Sequence, residues 1–254
     1  MAKTLKKKLA SNELALGGWI MIGHPASAEI MARSGFDWVC VDLEHTAISI
    51  DTAENLLRTI EYGGSTPLVR LTNNDENLIK RVMDSGASGI IVPLVKTAEE
   101  MQKAVNAMYY PPRGTRGVGL ARAQKYGADF EGYKEWLENE AVCIAQIEHI
   151  DAVNNLEEIL SIEGVDGYIL GPYDLSASMG LTGQIDHPDV QDAINKVCQI
   201  GKDLDKPGGL HIVEPDEEKL KSCVEQGFTF LAYSIDTRII DTVCRSGIAS
   251  VKGS

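Results

Sequence analysis

The chain has 254 residues, 44% of them apolar, and its 37 acidic against 24 basic side chains give a formal charge of −13, so its bulk field repels nucleic acid and anionic membranes. No stretch approaches the ~20 continuous apolar residues of a membrane helix, and the N-terminus lacks the apolar core of a secretory signal. Five cysteines (Cys40, Cys143, Cys198, Cys223, Cys244) without a CxxC spacing predict a reduced, cytoplasmic protein and not a thiolate metal site.

In chain order, Lys6, Lys7 and Lys8 read as a solvated helix face. Apolar, strand-like runs then occupy 14–22, 36–43, 66–71, 89–95, 142–147, 165–170, 208–213 and 228–235. Helical patterns alternate with them at 27–34, 51–62, 75–85, 97–108, 151–161, 188–204, 216–226 and 237–247. Near-continuous apolar strands belong to parallel sheets covered on both faces. Eight such units predict one closed (β/α)8 TIM barrel over 1–254, with a doubly wound open sheet as the alternative. Thr97 with Glu100 has capping-box spacing, and Gly35, Gly63, Gly86 and Gly227 stand where helix C-caps belong. One irregular segment, 109–127, carries Arg113, Arg116 and Arg122 and falls on the N-terminal side of the barrel. It is expected to wrap, to pack on a neighbouring subunit, or to deliver an arginine to a site.

Barrel enzymes place their chemistry at the C-terminal ends of the strands. The polar residues collected there are His24, then Asp42, Glu44 and His45, then Arg70, Lys96, then Gln146, Glu148 and His149, then Asp174, His211, and finally Tyr233, Ser234 and Asp236. Glu148 and Asp174 end the two strands of one strand–helix–strand unit, which brings both to the same face. Two carboxylates, with water and substrate completing the shell, suit Mg²⁺ or Mn²⁺. The competing reading is that both acids merely open helices. His45 beside Asp42 and Glu44 fits a base whose tautomer a carboxylate fixes. Arg70, inside an apolar run, either pairs with a barrel carboxylate or clamps an anionic substrate. Asp84, late in a helix, reads as surface by itself. His24, His149 and His211 have no zinc-ligand spacing, whereas Lys96 leaves room for a Schiff-base mechanism. Without G-x-G-x-x-G after the first strand or a glycine-rich loop after the last two, nucleotides and phosphorylated substrates are disfavoured.

Several stretches match a known family in combination: Gly17-Gly-Trp19-Ile, Phe36-Asp-Trp-Val-Cys-Val-Asp-Leu-Glu-His45, Val69-Arg70, and Leu78-Ile-Lys-Arg-Val-Met-Asp84-Ser-Gly. The match continues through Val92-Pro-Leu-Val, Tyr110-Pro-Pro-Arg-Gly-Thr-Arg-Gly-Val-Gly, Gln146-Ile-Glu148 and Gly164-Val-Asp-Gly-Tyr-Ile-Leu-Gly-Pro-Tyr-Asp174-Leu-Ser. From about 14 to 240 the chain resembles the HpcH/HpaI aldolases, class II pyruvate aldolases that include 4-hydroxy-2-oxoheptanedioate and 2-dehydro-3-deoxy-sugar-acid aldolases.

The resemblance implies a barrel of the phosphoenolpyruvate/pyruvate type and reversible cleavage of a 4-hydroxy-2-oxo acid into pyruvate and an aldehyde. Glu148 and Asp174 would hold the divalent metal, Arg70 would stabilise the enolate oxygen, and His45 with Asp84 would form an acid/base dyad. Gln146, Trp19, Asp174 and Leu175 would meet the substrate, with Asp42 and Glu44 in support. It also implies a homohexamer, a trimer of dimers, with the last helix (about 237–251) packed on a neighbour. An oxaloacetate-type decarboxylase and a non-catalytic 2-oxo-acid-binding barrel are the competing functions. Two segments depart from the family pattern, Ala232-Tyr-Ser-Ile-Asp236 and 117–127, both where aldehyde recognition is expected.

Overall fold

The apolar runs form strands β1 (Ala15–Ile20), β2 (Trp38–Asp42), β3 (Thr66–Arg70), β4 (Gly89–Val92), β5 (Val142–Ile147), β6 (Gly167–Leu170), β7 (Gly208–Ile212) and β8 (Phe230–Ile235) in a computed structural model. The structure describes residues 3–253; Met1, Ala2 and Ser254, which the expected domain also covers, lie outside the described residues. Each strand pairs in parallel with its neighbours in the chain, and Ala15 opposite Phe230 joins the first to the last, closing the barrel.

Helices α1 (Leu5–Ala10), α2 (Pro25–Arg33), α3 (Ile50–Gly63), α4 (Glu76–Asp84), α5 (Ala98–Met108) and α6 (Phe130–Glu140) flank the first half. The second half carries α7 (Ile150–Asn154), α8 (Leu156–Leu160), α9 (Pro172–Ser178), α10 (Pro188–Asp203), α11 (Glu217–Glu225) and α12 (Asp236–Lys252).

The continuous apolar strands follow from closure. One set of side chains, including Trp19, Trp38, Cys40, Leu68, Ile144 and Phe230, fills the barrel, while Ile20, Val41, Val69, Ile90 and Leu231 pack outward against the helices. Below the C-terminal strand ends, strand residues therefore meet mainly apolar surroundings on whichever side they face. Inside, Trp38 stacks on Phe230 with ring centroids 4.4 Å apart. Gly17 leaves the space for this, since a Cβ there would lie 2.1 Å from the indole of Trp38.

Helix α1 was not expected as an element that closes the barrel. Its Leu5 and Leu9 join the interior cluster and cover the N-terminal mouth. Of the three lysines only Lys7 keeps the expected solvated position, 63% exposed, while Lys6 and Lys8 are partly buried. Lys6 pairs with Asp166 at 2.6 Å, Lys7 with Glu140 at 3.0 Å and Lys8 with Asp37 at 2.6 Å.

Other elements shift locally. The expected helix 151–161 breaks into α7 and α8 at Asn155. The left-handed cap of α3 is Gly64, with φ 96°, and not Gly63, whose missing Cβ lets Ala32 approach. The sixth strand stops at Leu170, so Asp174 stands in the first turn of α9. Segment 109–127 lies on the N-terminal side as expected, where Arg122 binds the Ser85 carbonyl and Glu61. Its other arginines turn onto tyrosines, Arg113 over Tyr109 at 3.7 Å and Arg116 over Tyr110 at 4.3 Å. Among the described residues no helix is long and apolar enough to cross a membrane.

Candidate active site

A cavity of roughly 270 Å³ opens at the C-terminal mouth of the barrel, lined by Trp19, Asp42, His45, Arg70, Gln146, Gly171, Asp174 and His211 with Met21, Val213 and Ile235. Seven of the eight strands or strand ends contribute to it, as a barrel's top face requires. A wider groove of about 440 Å³ runs outside the barrel past Asp75, Glu76, Lys80 and Lys103. Its charges are mixed and none of the strand-end groups faces it.

Arg70 is held from below. The Asp42 carboxylate, 0% exposed, accepts Arg70 Nε at 3.0 Å and Nη2 at 2.6 Å, and also the Glu44 amide at 2.9 Å. Glu44 adds an ion pair to Nη1 at 3.1 Å, and the Trp19 ring lies 5.2 Å from the guanidinium carbon. Asp42 and Arg70 are register partners across β2 and β3, which is why these distant residues meet. The guanidinium is thus both paired and aimed, so the two sequence readings of Arg70 are compatible. Its fork is pre-oriented by Asp42 and Glu44, and the residue lines the cavity. Burial pushes the Glu44 carboxyl up to about 7; Arg70 pulls it back, while Asp42 and Asp174 add to the rise. The His45 side chain is 60% exposed, with Nε2 3.8 Å from Glu44 Oε2.

The second group centres on Glu148, 2% exposed just beyond β5. Its Oε1 accepts the Leu94 amide at 2.7 Å, and its Oε2 accepts the Gln146 amide. Burial pushes its carboxyl up to about 7; the bonds from Leu94 and Gln146 lower it, and the charges of Glu44 and Asp174 raise it again. Leu94 reaches this position from the left-handed region, φ 54°, a strain that non-glycine residues carry where the surroundings enforce it. Gly171 is required beside it: a Cβ there would fall 2.8 Å from both Glu148 Cβ and Oε2.

These residues fit a hard divalent cation. Asp174 is close enough for its charge to be felt at Glu148, and Gln146 Oε1 is buried without a partner. Among the described residues no three His, Cys, Asp or Glu side chains form a ready cage. Two oxygen donors with open positions match Mg²⁺ or Mn²⁺, which keep water and substrate in their shell.

Not every expected residue arrives. Asp84 ends α4, which runs back along the barrel, so its carboxylate lies at the N-terminal face, 3.4 Å from Gln124 Nε2 and 4.0 Å from Arg116 Nε. The expected dyad with His45 is therefore not formed within one chain. Leu175 does not line the cavity: its side chain is 0% exposed in the core, and its N–H bonds the Gly171 carbonyl at 3.0 Å. Lys96 does not line it either. His24 and His149 are helix N-caps, accepting the amides of Ala26 and Asp151, which disposes of a zinc cluster with His211. His211 itself is a cavity residue to which the sequence assigned no role. Its signal was a lone polar ring inside the apolar run Gly208-Gly-Leu-His-Ile212.

Comparison with known proteins gives a consistent result. The family model described as HpcH/HpaI aldolase/citrate lyase matches residues 16–241. A 2-dehydro-3,6-dideoxy-6-sulfogluconate aldolase of Pseudomonas putida is 38% identical over 239 residues, covering 94% of this chain and 92% of that protein. A hydroxypyruvate/pyruvate aldolase of Roseobacter denitrificans is 35% identical, covering 93% and 92%. Among solved structures, an HpcH/HpaI aldolase/citrate lyase family protein of Burkholderia cenocepacia has a TM-score of 0.92 at 30% identity over 98% of both chains.

Proposed function

The chain belongs to the HpcH/HpaI aldolase/citrate lyase family, and from that premise we propose how its own residues perform the reaction. It is a class II pyruvate aldolase, reversibly cleaving a 4-hydroxy-2-oxo acid into pyruvate and an aldehyde; the decarboxylase and the silent barrel are not favoured. The observation that carries the residue assignment is the meeting, in one cavity, of buried Glu148 beside Asp174 with the Asp42-clamped Arg70.

Glu148 and Asp174 hold the cation, Mg²⁺ or Mn²⁺. When bound, it supplies Lewis-acid polarisation of the 2-oxo group. Arg70 aims its free N–H groups at the oxygen where negative charge develops, a donor already paid for in orientation by Asp42 and Glu44. Cleavage takes the proton from the 4-hydroxyl and breaks the C3–C4 bond. The electron pair passes to C3 and onto the oxygen at C2, the aldehyde leaves, and a proton returned to C3 completes pyruvate. His45, exposed at the mouth, carries the proton. Gln146 orients the pyruvate moiety beside Glu148, and Trp19 forms the floor.

A dyad of His45 with Asp84 requires the Asp84 of a second copy, since one chain separates the two between its faces. Exposed Tyr62, Val118, Leu120 and Tyr126 lie on the elements around Asp84, and Ile240, Val243 and Val251 are exposed along α12. Both surfaces favour a homo-oligomer, the hexamer being the state expected. Five free cysteines fit a cytoplasmic location.

The test is exchange of the pyruvate methyl protons in D₂O, followed by NMR with Mg²⁺ or Mn²⁺ and then EDTA. Exchange that EDTA abolishes is expected. Exchange that survives EDTA, or a borohydride-trapped adduct at Lys96, would replace this mechanism with a Schiff base.

A further inference from the structure

The cavity wall contains one imidazole that neither the metal corner nor the arginine clamp uses. His211, on β7, stacks flat on Trp19 with centroids 4.6 Å apart and an interplanar angle of 18°. Its Nε2 lies 3.1 Å from the Ser234 carbonyl oxygen. A carbonyl only accepts, so Nε2 carries the proton, and in the neutral ring Nδ1 is left as a lone-pair acceptor. Burial, with Arg70 nearby, depresses its pKa to about 4, although the Ser234 bond and Asp42 oppose the shift. At ordinary pH the ring is neutral and its tautomer single.

The anchor is itself built. Ser234 sits at φ 60°, is 0% exposed, and its hydroxyl binds the Val213 carbonyl at 2.9 Å. Nδ1 has no hydrogen-bond partner among the described residues and is not sealed from solvent, so it opens to the cavity that His211 lines. Met21, Val213 and Ile235 give the same cavity an apolar part of its wall. An acceptor in such a wall needs a donor from what binds there. It repels carboxylate and carbonyl oxygens, which offer only lone pairs, and it favours O–H.

We propose that His211 is a specificity-determining residue of this aldolase, whose Nδ1 accepts a hydrogen bond from a substrate hydroxyl. That hydroxyl is carried either on the carbon next to the carbonyl of the acceptor aldehyde or on C3 of the 2-oxo-acid donor. The inference rests on the aldolase reading of the site and names the substrate class it selects.

The experiment measures kcat/KM ratios with Mg²⁺ in wild type, His211→Asn, His211→Gln and His211→Leu. One arm compares glycolaldehyde with acetaldehyde as acceptors for pyruvate, and the other compares hydroxypyruvate with pyruvate as donors to acetaldehyde. Leu removes the acceptor. Gln reaches the Nε2 position and lacks an acceptor at Nδ1, whereas Asn places its Oδ1 near Nδ1. The expected result is a preference for the hydroxylated partner that falls about tenfold in Leu and Gln and survives in Asn. A fall in the first arm locates the hydroxyl on the aldehyde, and a fall in the second locates it on the donor. Ratios unchanged in both arms, in variants that melt as wild type does, overturn the role of His211 alone. Wild-type protein without EDTA-sensitive methyl exchange would overturn the aldolase reading beneath it. Should the Leu variant not fold, the Asn and Gln pair supplies the same contrast.

Discussion

Replacing Asp42 by Asn keeps the shape of the side chain and removes the charge that fixes Arg70. Asp42 is 0% exposed and makes two bonds to the guanidinium, at 3.0 and 2.6 Å, while the Arg70 side chain is 13% exposed. Removing one member of a buried pair costs about 3–5 kcal/mol, because the other charge stays buried without compensation. Glu44, 3.1 Å from Nη1, keeps part of that compensation, which places the loss near about 3 kcal/mol. For a domain of this size the corresponding fall in Tm is roughly 6–12 °C, at about 2–4 °C per kcal/mol. The Asn amide also turns an N–H toward Nη2 and rotates the guanidinium off its line, and loss of one such aligned donor lowers turnover about 10²–10³-fold. Thermal melts followed by circular dichroism and the rate of pyruvate methyl exchange measure both effects. A Tm within about 2 °C of wild type, or an exchange rate within about twofold, would refute the claim that Asp42 holds Arg70 in place.

Two further outcomes follow from the metal corner. Glu148 and Glu44 stand at about 7 in the fold, against about 4.3 for an unfolded glutamate. Between those values the folded chain keeps protons that the unfolded chain has lost, so metal-free stability falls as pH rises and levels off above about 7. Melts in EDTA from about pH 5 to 8 are expected to show this decline, with Mg²⁺ restoring stability most at the upper end; a metal-free Tm that rises over this range contradicts the burial of Glu148. In Gly171→Ala the new methyl, 2.8 Å from Glu148 Oε2, displaces that carboxylate. Calorimetry should then show Mn²⁺ binding weakened about tenfold or more with the fold retained, and an unchanged Kd would remove Glu148 from the ligand set.

The cavity residues differ in how far sequence alone could reach them. Asp42, Arg70, Gln146 and Glu148 were legible because each interrupts or ends an apolar run, and in a parallel barrel all run ends share one face. Asp174 was legible as a residue of that face although it stands on α9, a helix too short to leave a periodicity. Asp84 was carried to the site by resemblance alone, and the direction of α4 takes it to the opposite face. Leu175 failed for the same reason as α9: its place in a helix turn, which buries its side chain, has no local signature over seven residues.

What the sequence by itself determined is the order of the eight strands and of the main helices between them, because burial on both sheet faces and the helical repeat are written in neighbouring residues; α1, α6 and α9 lay outside that pattern. Which charges meet was decided only by closure. Lys6 finds Asp166, Arg70 finds Asp42, and His211 finds the Ser234 carbonyl across spans of chain that local periodicity does not see. The hydrogen bonds that set the His211 tautomer and the burial that lifts the Glu148 carboxyl exist only once the barrel has excluded water from its mouth.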